Sequence, residues 1–192
     1  MKKSTILMSL LIVLIAIGFT ACMKNKSSMK QDLPPFGSEV DVSYSLTLWN
    51  VLVKEKLAGA DMIRSVPYEG MEPHGVILEQ LSTMITVEGH TGIVYVKNNY
   101  MGEGMTRSKV VNNPDTYLKA ITVMFKREKG YDSDNQDWFW VKYKHDGSLH
   151  ANPKGALLAG RVAKGMDAGC IACHMDANGN DYLFNNTASH LD

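Results

Sequence analysis

A five-residue motif near the C-terminal end, Cys170-Ile171-Ala172-Cys173-His174, constrains this chain more than any other feature. C-x-x-C-H is the attachment signature of a c-type haem, because two thiols and one imidazole must reach a single haem from about one helical turn. Each thiol can add to a haem vinyl group to form a thioether, and His174 is then close enough to become an axial ligand of the iron. The motif therefore predicts one covalently bound haem c, attached through Cys170 and Cys173.

Two other uses of such a motif have to be weighed against haem. One is a redox-active C-x-x-C pair followed by an unrelated histidine, and the other is half of a zinc site. A zinc site needs about four ligands, and the chain has only three cysteines, so it has no second cysteine pair. A thioredoxin-like pair normally opens a helix after a strand within a βαβ pattern, which this sequence does not show. Both points favour haem.

The N-terminal segment has the pattern of a secretory signal. Two lysines precede an apolar run over residues 6–19, and Ala21-Cys22 follows shortly after it. A charged start, a short apolar run and a small-residue cleavage site predict a signal peptide of the lipoprotein type over residues 1–21. The cysteine directly after Ala21 resembles a bacterial lipobox, in which the cysteine is lipidated and becomes the mature N-terminus. We predict lipid on Cys22; the alternative is simple cleavage near Ala21, which leaves a free protein.

Both ends of the chain predict the same compartment. Haem is attached to C-x-x-C-H outside the cytoplasm, and Met23, rather than Asp, after the cysteine resembles the outer-membrane sorting pattern. We therefore expect an outer-membrane lipoprotein on the periplasmic side of a bacterial membrane, held there by its N-terminal lipid. Formal net charge is zero and no basic block is present, so nucleic acid is not an expected partner.

The remaining chain divides into a tether and one domain. The polar, Lys/Ser-rich stretch ending in Pro34-Pro35 predicts a flexible tether over residues 22–36. Residues 37–192 are long enough for a single haem domain with its own core. Within them, residues 39–57 carry apolar side chains at spacings of three and four, which predicts an amphipathic helix. A shorter helix is predicted over residues 152–164.

Several runs of β-branched and aromatic residues predict strands, at 92–100, 120–126 and 137–144. Residues 76–87 alternate more weakly and predict a fourth strand. We therefore expect an α+β fold, mainly an antiparallel β-sheet with a few flanking helices and a C-terminal c-type haem motif. One face of the sheet is expected to pack on helices and haem.

The position of the motif narrows the coordination of the iron. Small electron-transfer cytochromes c carry the motif near their start and supply a Met ligand far downstream. Here the only downstream methionine is Met175, which adjoins His174 and cannot reach the opposite face of the haem. We therefore expect a five-coordinate iron or one with a weakly held water, and an open distal position serves binding or catalysis of small molecules. The alternatives are an upstream methionine ligand, Met105 or Met124, and His74 as a distal residue.

Four segments, taken in order, resemble the cytochrome P-460 and cytochrome c′-beta family. They are Gly92-Ile93-Val94-Tyr95-Val96-Lys97, Val123-Met124-Phe125-Lys126, Asp137-Trp138-Phe139-Trp140, and the haem motif followed by Asp181-Tyr182-Leu183-Phe184. The resemblance covers about residues 92–184, and more weakly the region back to Trp49. It implies a β-rich antiparallel sheet with helices, often a homodimer, and a five-coordinate haem. The strand pattern argues against the four-helix cytochromes c′, whose haem motif is also C-terminal.

The resemblance also implies roles for individual residues. Cytochromes P-460 oxidise hydroxylamine and carry a lysine covalently joined to the porphyrin, and Lys97 matches that position; the alternative is an ordinary solvated lysine. Counting back from Lys126, Thr122 stands where those enzymes place a carboxylate that takes a proton from bound hydroxylamine. A threonine hydroxyl is no comparable base near pH 7. Phe125 and Tyr68 are candidates for the aromatic residues that cap the distal face in c′-beta members.

Three functions stay open. The first is an enzyme that oxidises hydroxylamine or nitric oxide and passes electrons to another periplasmic cytochrome; Lys97 supports it and Thr122 opposes it. The second is a module that binds nitric oxide without turnover. The third is plain electron transfer with an upstream methionine as sixth ligand. In all three, His174 is the proximal ligand, and we expect its other ring nitrogen to donate to a backbone carbonyl.

Overall fold

The computed structural model describes residues 35–184, which form one compact unit. The predicted signal peptide, and Cys22 with it, lie outside the described residues. The helices and strands are, in chain order, α1 Glu39–Lys54, β1 Tyr68–Glu69, β2 Ile77–Val87, β3 His90–Tyr100, α2 Arg107–Asn112, α3 Pro114–Tyr117, β4 Leu118–Lys126, a 3-10 turn Ser133–Asn135, β5 Trp138–Tyr143, β6 Ala159–Gly160 and α4 Cys170–His174. Within residues 35–184, no helix combines the length and apolar character needed to cross a membrane.

The six strands form one sheet in the order β1-β2-β3-β4-β5-β6, each antiparallel to its neighbour. Its longest pair is the β2–β3 hairpin, which turns at Glu88 and Gly89, whose φ angles are 49° and 81°. Positive φ at both central residues is the turn that matches the right-handed twist of paired strands. The predicted α+β fold with a mainly antiparallel sheet is confirmed.

The four predicted strands appear as β2, β3, β4 and β5, with ends that differ by one or two residues. The predicted helix over 39–57 appears as α1. The predicted helix over 152–164 is wrong, because this stretch forms turns and the edge strand β6. Gly155 and Gly160 both adopt positive φ there. The carbonyl of Leu158 accepts from the amide of Lys142 at 2.9 Å, so pairing with β5 satisfies backbone groups that a helix would have paired internally.

Helix α1 covers one face of the sheet. It begins with a capping box, in which Ser38 Oγ accepts from the Asp41 amide at 3.1 Å and the Asp41 carboxylate accepts from the Ser38 amide at 3.2 Å. This pair satisfies two of the unpaired amides at the helix start. The buried side of α1 packs in the larger core of the protein, which includes Tyr44, Leu48, Leu52, Val94, Val96, Phe125, Phe139 and Tyr143.

Helix α4 lies against the opposite face of the sheet. A smaller core there includes Phe36, Met124, Trp138, Trp140, Val162, Ile171 and Tyr182. Phe36, assigned above to the tether, is buried and forms an isolated antiparallel β-bridge with Gly160. Neighbouring residues of a strand point to opposite faces, so Met124 and Phe125 belong to different cores. The expectation that helices and haem share one face was therefore wrong for α1. Both faces of β4 and β5 are apolar, so other elements must shield both faces from water.

Candidate functional site

The two thiols and the imidazole of the motif come from the single turn of α4. Ile171 and His174 are buried, whereas Cys170 is half-buried and Cys173 is exposed. The turn is preceded by Gly169 at φ 126°, where an added Cβ would lie 2.4 Å from the Cβ of Ala163. Glycine is therefore required for α4 to pack this closely on the chain before it.

The imidazole of His174 is held in one orientation by the tail that follows it. Its Nδ1 donates to the backbone carbonyl of Tyr182 at 2.7 Å, so the expectation of a bond to a backbone carbonyl is confirmed. The ring centroid lies 4.8 Å from that of Trp140 and 5.2 Å from that of Phe184. Burial lowers the pKa of His174. A neutral ring with Nδ1 occupied leaves the lone pair of Nε2 for a metal.

The thiol chemistry does not suit a redox-active cysteine pair. Burial raises the pKa of Cys170 to about 11. Thiols that exchange disulfides have a lowered pKa, because the thiolate is the nucleophile. Cys170 and Cys173 are both free. These observations disfavour the redox alternative and leave both sulfurs free to form thioethers.

Two spaces open beside His174. The main cavity, of about 490 Å³, is lined by Tyr68, Pro73, His74, Leu78, Lys97, Cys173, His174, Leu183 and Phe184, among others. The side pocket, of about 30 Å³, is lined by His74, Tyr95, Lys97, Thr122, Met124, Trp140, Cys170 and His174, among others. His74, Lys97 and His174 line both. The main cavity falls in the range of about 300–1,000 Å³ that is usual for ligand and cofactor sites.

Lys97 projects from β3 into this site. Its side chain is half-buried, and its ammonium group forms no hydrogen bond or ion pair with another residue of the described range 35–184. Burial lowers its pKa, since removal from water disfavours the charged form. A solvated lysine at a strand end, the alternative considered above, does not fit this environment.

Thr122 lies directly opposite Lys97 in the β3–β4 ladder. Its Oγ1 is 3.2 Å from Nδ2 of Asn99 and 3.3 Å from Nδ1 of His74. The position that holds a carboxylate in the cytochromes P-460 therefore does face the site, and here it presents a hydroxyl. Burial, followed by the charges of Lys97 and His174, lowers the pKa of His74 to about 4. His74 is consequently neutral at neutral pH.

Of the other residues predicted to lie near the iron, some line the site and others lie in the core on the opposite face. Tyr68 lines the main cavity and Met124 lines the side pocket. Phe125 was wrong as a distal residue, because it is fully buried in the larger core on the opposite face. Met105 also packs against that core. Trp140 was not expected at the site. Trp140 pairs with Met124 between β4 and β5. A sequence analysis that had predicted this strand register would have placed Trp140 on the same face as Met124.

The residues present fit a haem. Two free thiols and an oriented imidazole adjoin a cavity of suitable volume, with apolar walls from Leu78, Leu183 and Phe184. This donor set is the one that holds haem in proteins. The fold and the site thus define a class, a haem-binding protein built on one antiparallel sheet.

The comparison with known families narrows this class. The family model described as Cytochrome P460 matches residues 76–185. The match extends from the start of β2 past α4 and covers more than half of the 192 residues. The chain belongs to the Cytochrome P460 family, which makes it a haem protein of a family that acts on nitrogen species. No curated protein and no solved structure matches the chain.

Proposed function

We propose that the chain carries one covalent haem c, attached through Cys170 and Cys173, and that it binds or oxidises small nitrogen species such as nitric oxide and hydroxylamine. His174 is the proximal ligand. The observation that carries this proposal is the convergence of Cys173, His174 and Lys97 on one cavity of about 490 Å³ in a chain of this family. The haem, when bound, supplies a redox-active iron to which a small nitrogen ligand can bind.

The residues around the site orient the ring of His174, exclude part of the solvent and offer few proton acceptors. The carbonyl of Tyr182 fixes the ring of His174, and this partner raises the basicity of the ligand. Thr122 can exchange hydrogen bonds with a bound ligand but cannot serve as a base near pH 7. The carboxylates that line the main cavity, Glu69 and Glu72, are both exposed. Neutral His74 also lines the site, but its pKa of about 4 makes it a weak base. Nitric oxide binding needs no proton acceptor, so these residues favour nitric oxide binding over hydroxylamine oxidation.

Lys97 is the proposed third attachment point. Its half-buried amine has a lowered pKa and no partner among the described residues, and a near-neutral, desolvated amine can attack carbon. Forming a bond from Nζ to a porphyrin carbon replaces one N–H and one C–H bond. Two protons and two electrons leave, and a peroxide is the class of oxidant that accepts them. A protein with this bond would be lighter by two hydrogens.

The location of this site in the cell is also a proposal, supported by the sequence near the two ends of the chain. We propose that lipid on Cys22 holds the domain at the periplasmic side of the outer membrane. Electrons from any oxidation would then pass to a periplasmic cytochrome, and the domain would act as a homodimer. These proposals rest on the lipobox-like sequence before Cys22 and on the family resemblance.

The three cysteines allow a matched test of attachment. The full-length chain would be matured with haem in a bacterial periplasm, denatured and weighed by mass spectrometry. We expect the mass of one haem on the wild type and on Cys22→Ser, which should instead lose its membrane association. The double variant Cys170→Ser/Cys173→Ser should carry none. A wild-type chain without covalent haem, or a double variant that retains it, would overturn the proposal.

Spectra and kinetics separate the functions. Nitric oxide should change the spectrum of the reduced protein saturably, and hydroxylamine should reduce an added acceptor slowly or not at all. Thr122→Glu should raise that turnover and Thr122→Gln should not, because only the carboxylate can take the proton. A red-shifted reduced Soret band that survives denaturation would indicate the cross-link. It should vanish in Lys97→Ala and persist in Lys142→Ala, since Lys142 neighbours Thr122 in the sheet. A spectrum unaffected by either ligand would refute the binding function.

A further inference from the structure

We propose that His74 is the second axial ligand of the iron, opposite His174, and that a nitrogen ligand must displace it to bind. The inference rests on the haem attachment proposed above. It concerns a residue of the loop between β1 and β2, which lies outside the stretch that matches the family model, residues 76–185.

The separation of the two rings carries the argument. The centroids of His74 and His174 lie 5.9 Å apart, and their planes meet at 81°. Metal–imidazole bonds are about 2 Å long, and each ring nitrogen lies roughly 1 Å from its centroid, so trans imidazoles on one metal have centroids about 6 Å apart. A distal histidine that contacted a bound ligand without binding iron would lie about 2 Å farther from the proximal ring, because the ligand and a hydrogen bond would separate it from the iron. The observed distance fits direct ligation.

The available nitrogens agree with this assignment. Nδ1 of His174 is bonded to the carbonyl of Tyr182, and Nδ1 of His74 contacts Oγ1 of Thr122. A hydroxyl oxygen can accept from both Asn99 and His74, because it has two lone pairs. With Nδ1 of His174 held by Tyr182 and Nδ1 of His74 facing Thr122, Nε2 of each ring is the nitrogen left to coordinate. Thr122 thereby gains a role other than proton transfer, since its hydroxyl positions the ring of His74.

The loop that carries His74 is anchored at both ends and exposed at its tip. The amide of Gly70 donates to the carbonyl of Val76 at 2.9 Å. At Gly75, φ is 141° and an added Cβ would lie 3.0 Å from the carbonyl oxygen of Tyr100, so the chain there passes close to β3. Between these anchors, residues 71–73 are exposed. Exposed loop segments open at low free-energy cost, which makes His74 a ligand that can leave.

Neither methionine considered above competes well for this position. Met124 is buried in the smaller core and lines the side pocket but not the main cavity. Met105 belongs to the opposite side of the sheet. His74 lines both the main cavity and the side pocket, as His174 does.

The test uses the full-length protein carrying its covalent haem, with absorption and electron paramagnetic resonance spectra as readouts. The wild type should be low-spin in both oxidation states. His74→Ala should be high-spin, and added imidazole should restore the low-spin spectrum. His90→Ala is the matched control, because His90 is half-buried like His74 and its ring also has a hydrogen-bond partner, the carbonyl of Lys126 at 3.0 Å. His90 lines neither the main cavity nor the side pocket.

A second variant guards against misfolding of the first. His74→Met should stay low-spin, acquire the absorption band of a methionine-ligated haem, and shift to a higher reduction potential. Nitric oxide binding to the wild type should reach a rate that no longer rises with concentration, because loss of His74 becomes limiting, whereas His74→Ala should show a linear dependence.

The outcomes separate this inference from the proposed function. A wild type without covalent haem overturns both. A wild type with covalent haem that is high-spin, or a low-spin spectrum that persists in His74→Ala, overturns the axial role of His74 and leaves the haem attachment standing.

Discussion

Replacing Arg64 by methionine would leave the carboxylate of Glu79 buried without its counter-ion. The Glu79 side chain is 2% exposed, and Arg64 binds it through two nitrogens, with Nη2 2.6 Å from Oε1 and Nε 2.9 Å from Oε2. Tyr100 donates its hydroxyl to the same carboxylate at 2.8 Å. This pair joins the chain before β1 to β2, on either side of the loop that carries His74.

The expected cost follows from burial and the remaining donors. Removing one partner of a buried ion pair costs about 3–5 kcal/mol. The hydroxyl of Tyr100 still donates, and the Arg64 side chain is 32% exposed, so we expect the lower end, about 3 kcal/mol. For a domain of this size, that corresponds to a fall in Tm of about 6–12 °C. Urea denaturation of the haem-loaded protein, followed by far-UV circular dichroism, measures the free energy of unfolding.

Arg107→Met is the matched control. Arg107 pairs with Glu69 at 3.6 Å, but the two side chains are 57% and 82% exposed, and surface pairs contribute about 0–1 kcal/mol. Adding Glu79→Gln to Arg64→Met should recover part of the loss, because a neutral amide needs no counter-ion. Equal losses of unfolding free energy in Arg64→Met and Arg107→Met would refute a special cost for the buried pair.

Three further substitutions test the packing, each measured as a change in the urea midpoint. Ser38→Ala should cost about 1 kcal/mol because it removes the N-cap of α1; an unchanged midpoint would contradict the capping role. Leu48→Ala should cost about 2–5 kcal/mol, since Leu48 is fully buried, and a loss below about 1 kcal/mol would mean that the core refills. Gly160→Ala should be clearly worse than Gly155→Ala. Both have positive φ, but only the former would bring a Cβ within 2.5 Å of Asp41; equal effects would refute the clash.

The strands could be predicted because their sequences are locally consistent. The run over 92–100 is rich in β-branched and aromatic residues, and such runs fit a pleated surface wherever they lie in a sheet. The helix predicted over 152–164 failed because a short apolar spacing does not distinguish a helix from an edge strand. Hydrogen bonding to β5 decided that case, and a strand remote in sequence is invisible to a local pattern.

The face of each strand residue needed more than alternation. Met124 and Phe125 are adjacent and both apolar, so the pattern of β4 cannot say which side chain faces the site. A shift of one residue exchanges the two faces. The ladder with β5, which pairs Met124 with Trp140, settles it. Phe125 was for this reason placed at the site and in fact belongs to the larger core.

The sequence by itself predicted the C-x-x-C-H motif of α4 as a haem site and located the four long strands, whereas the placement of Thr122 opposite Lys97 came from the pairing of β3 with β4. The motif and the strands could be predicted because each depends on residues close together in the chain. Only the tertiary structure decided that α1 and α4 lie on opposite faces, and that His74 meets His174 and Thr122. The physical reason is that a loop closes over a site through contacts between distant segments, and no local spacing encodes where its side chains arrive.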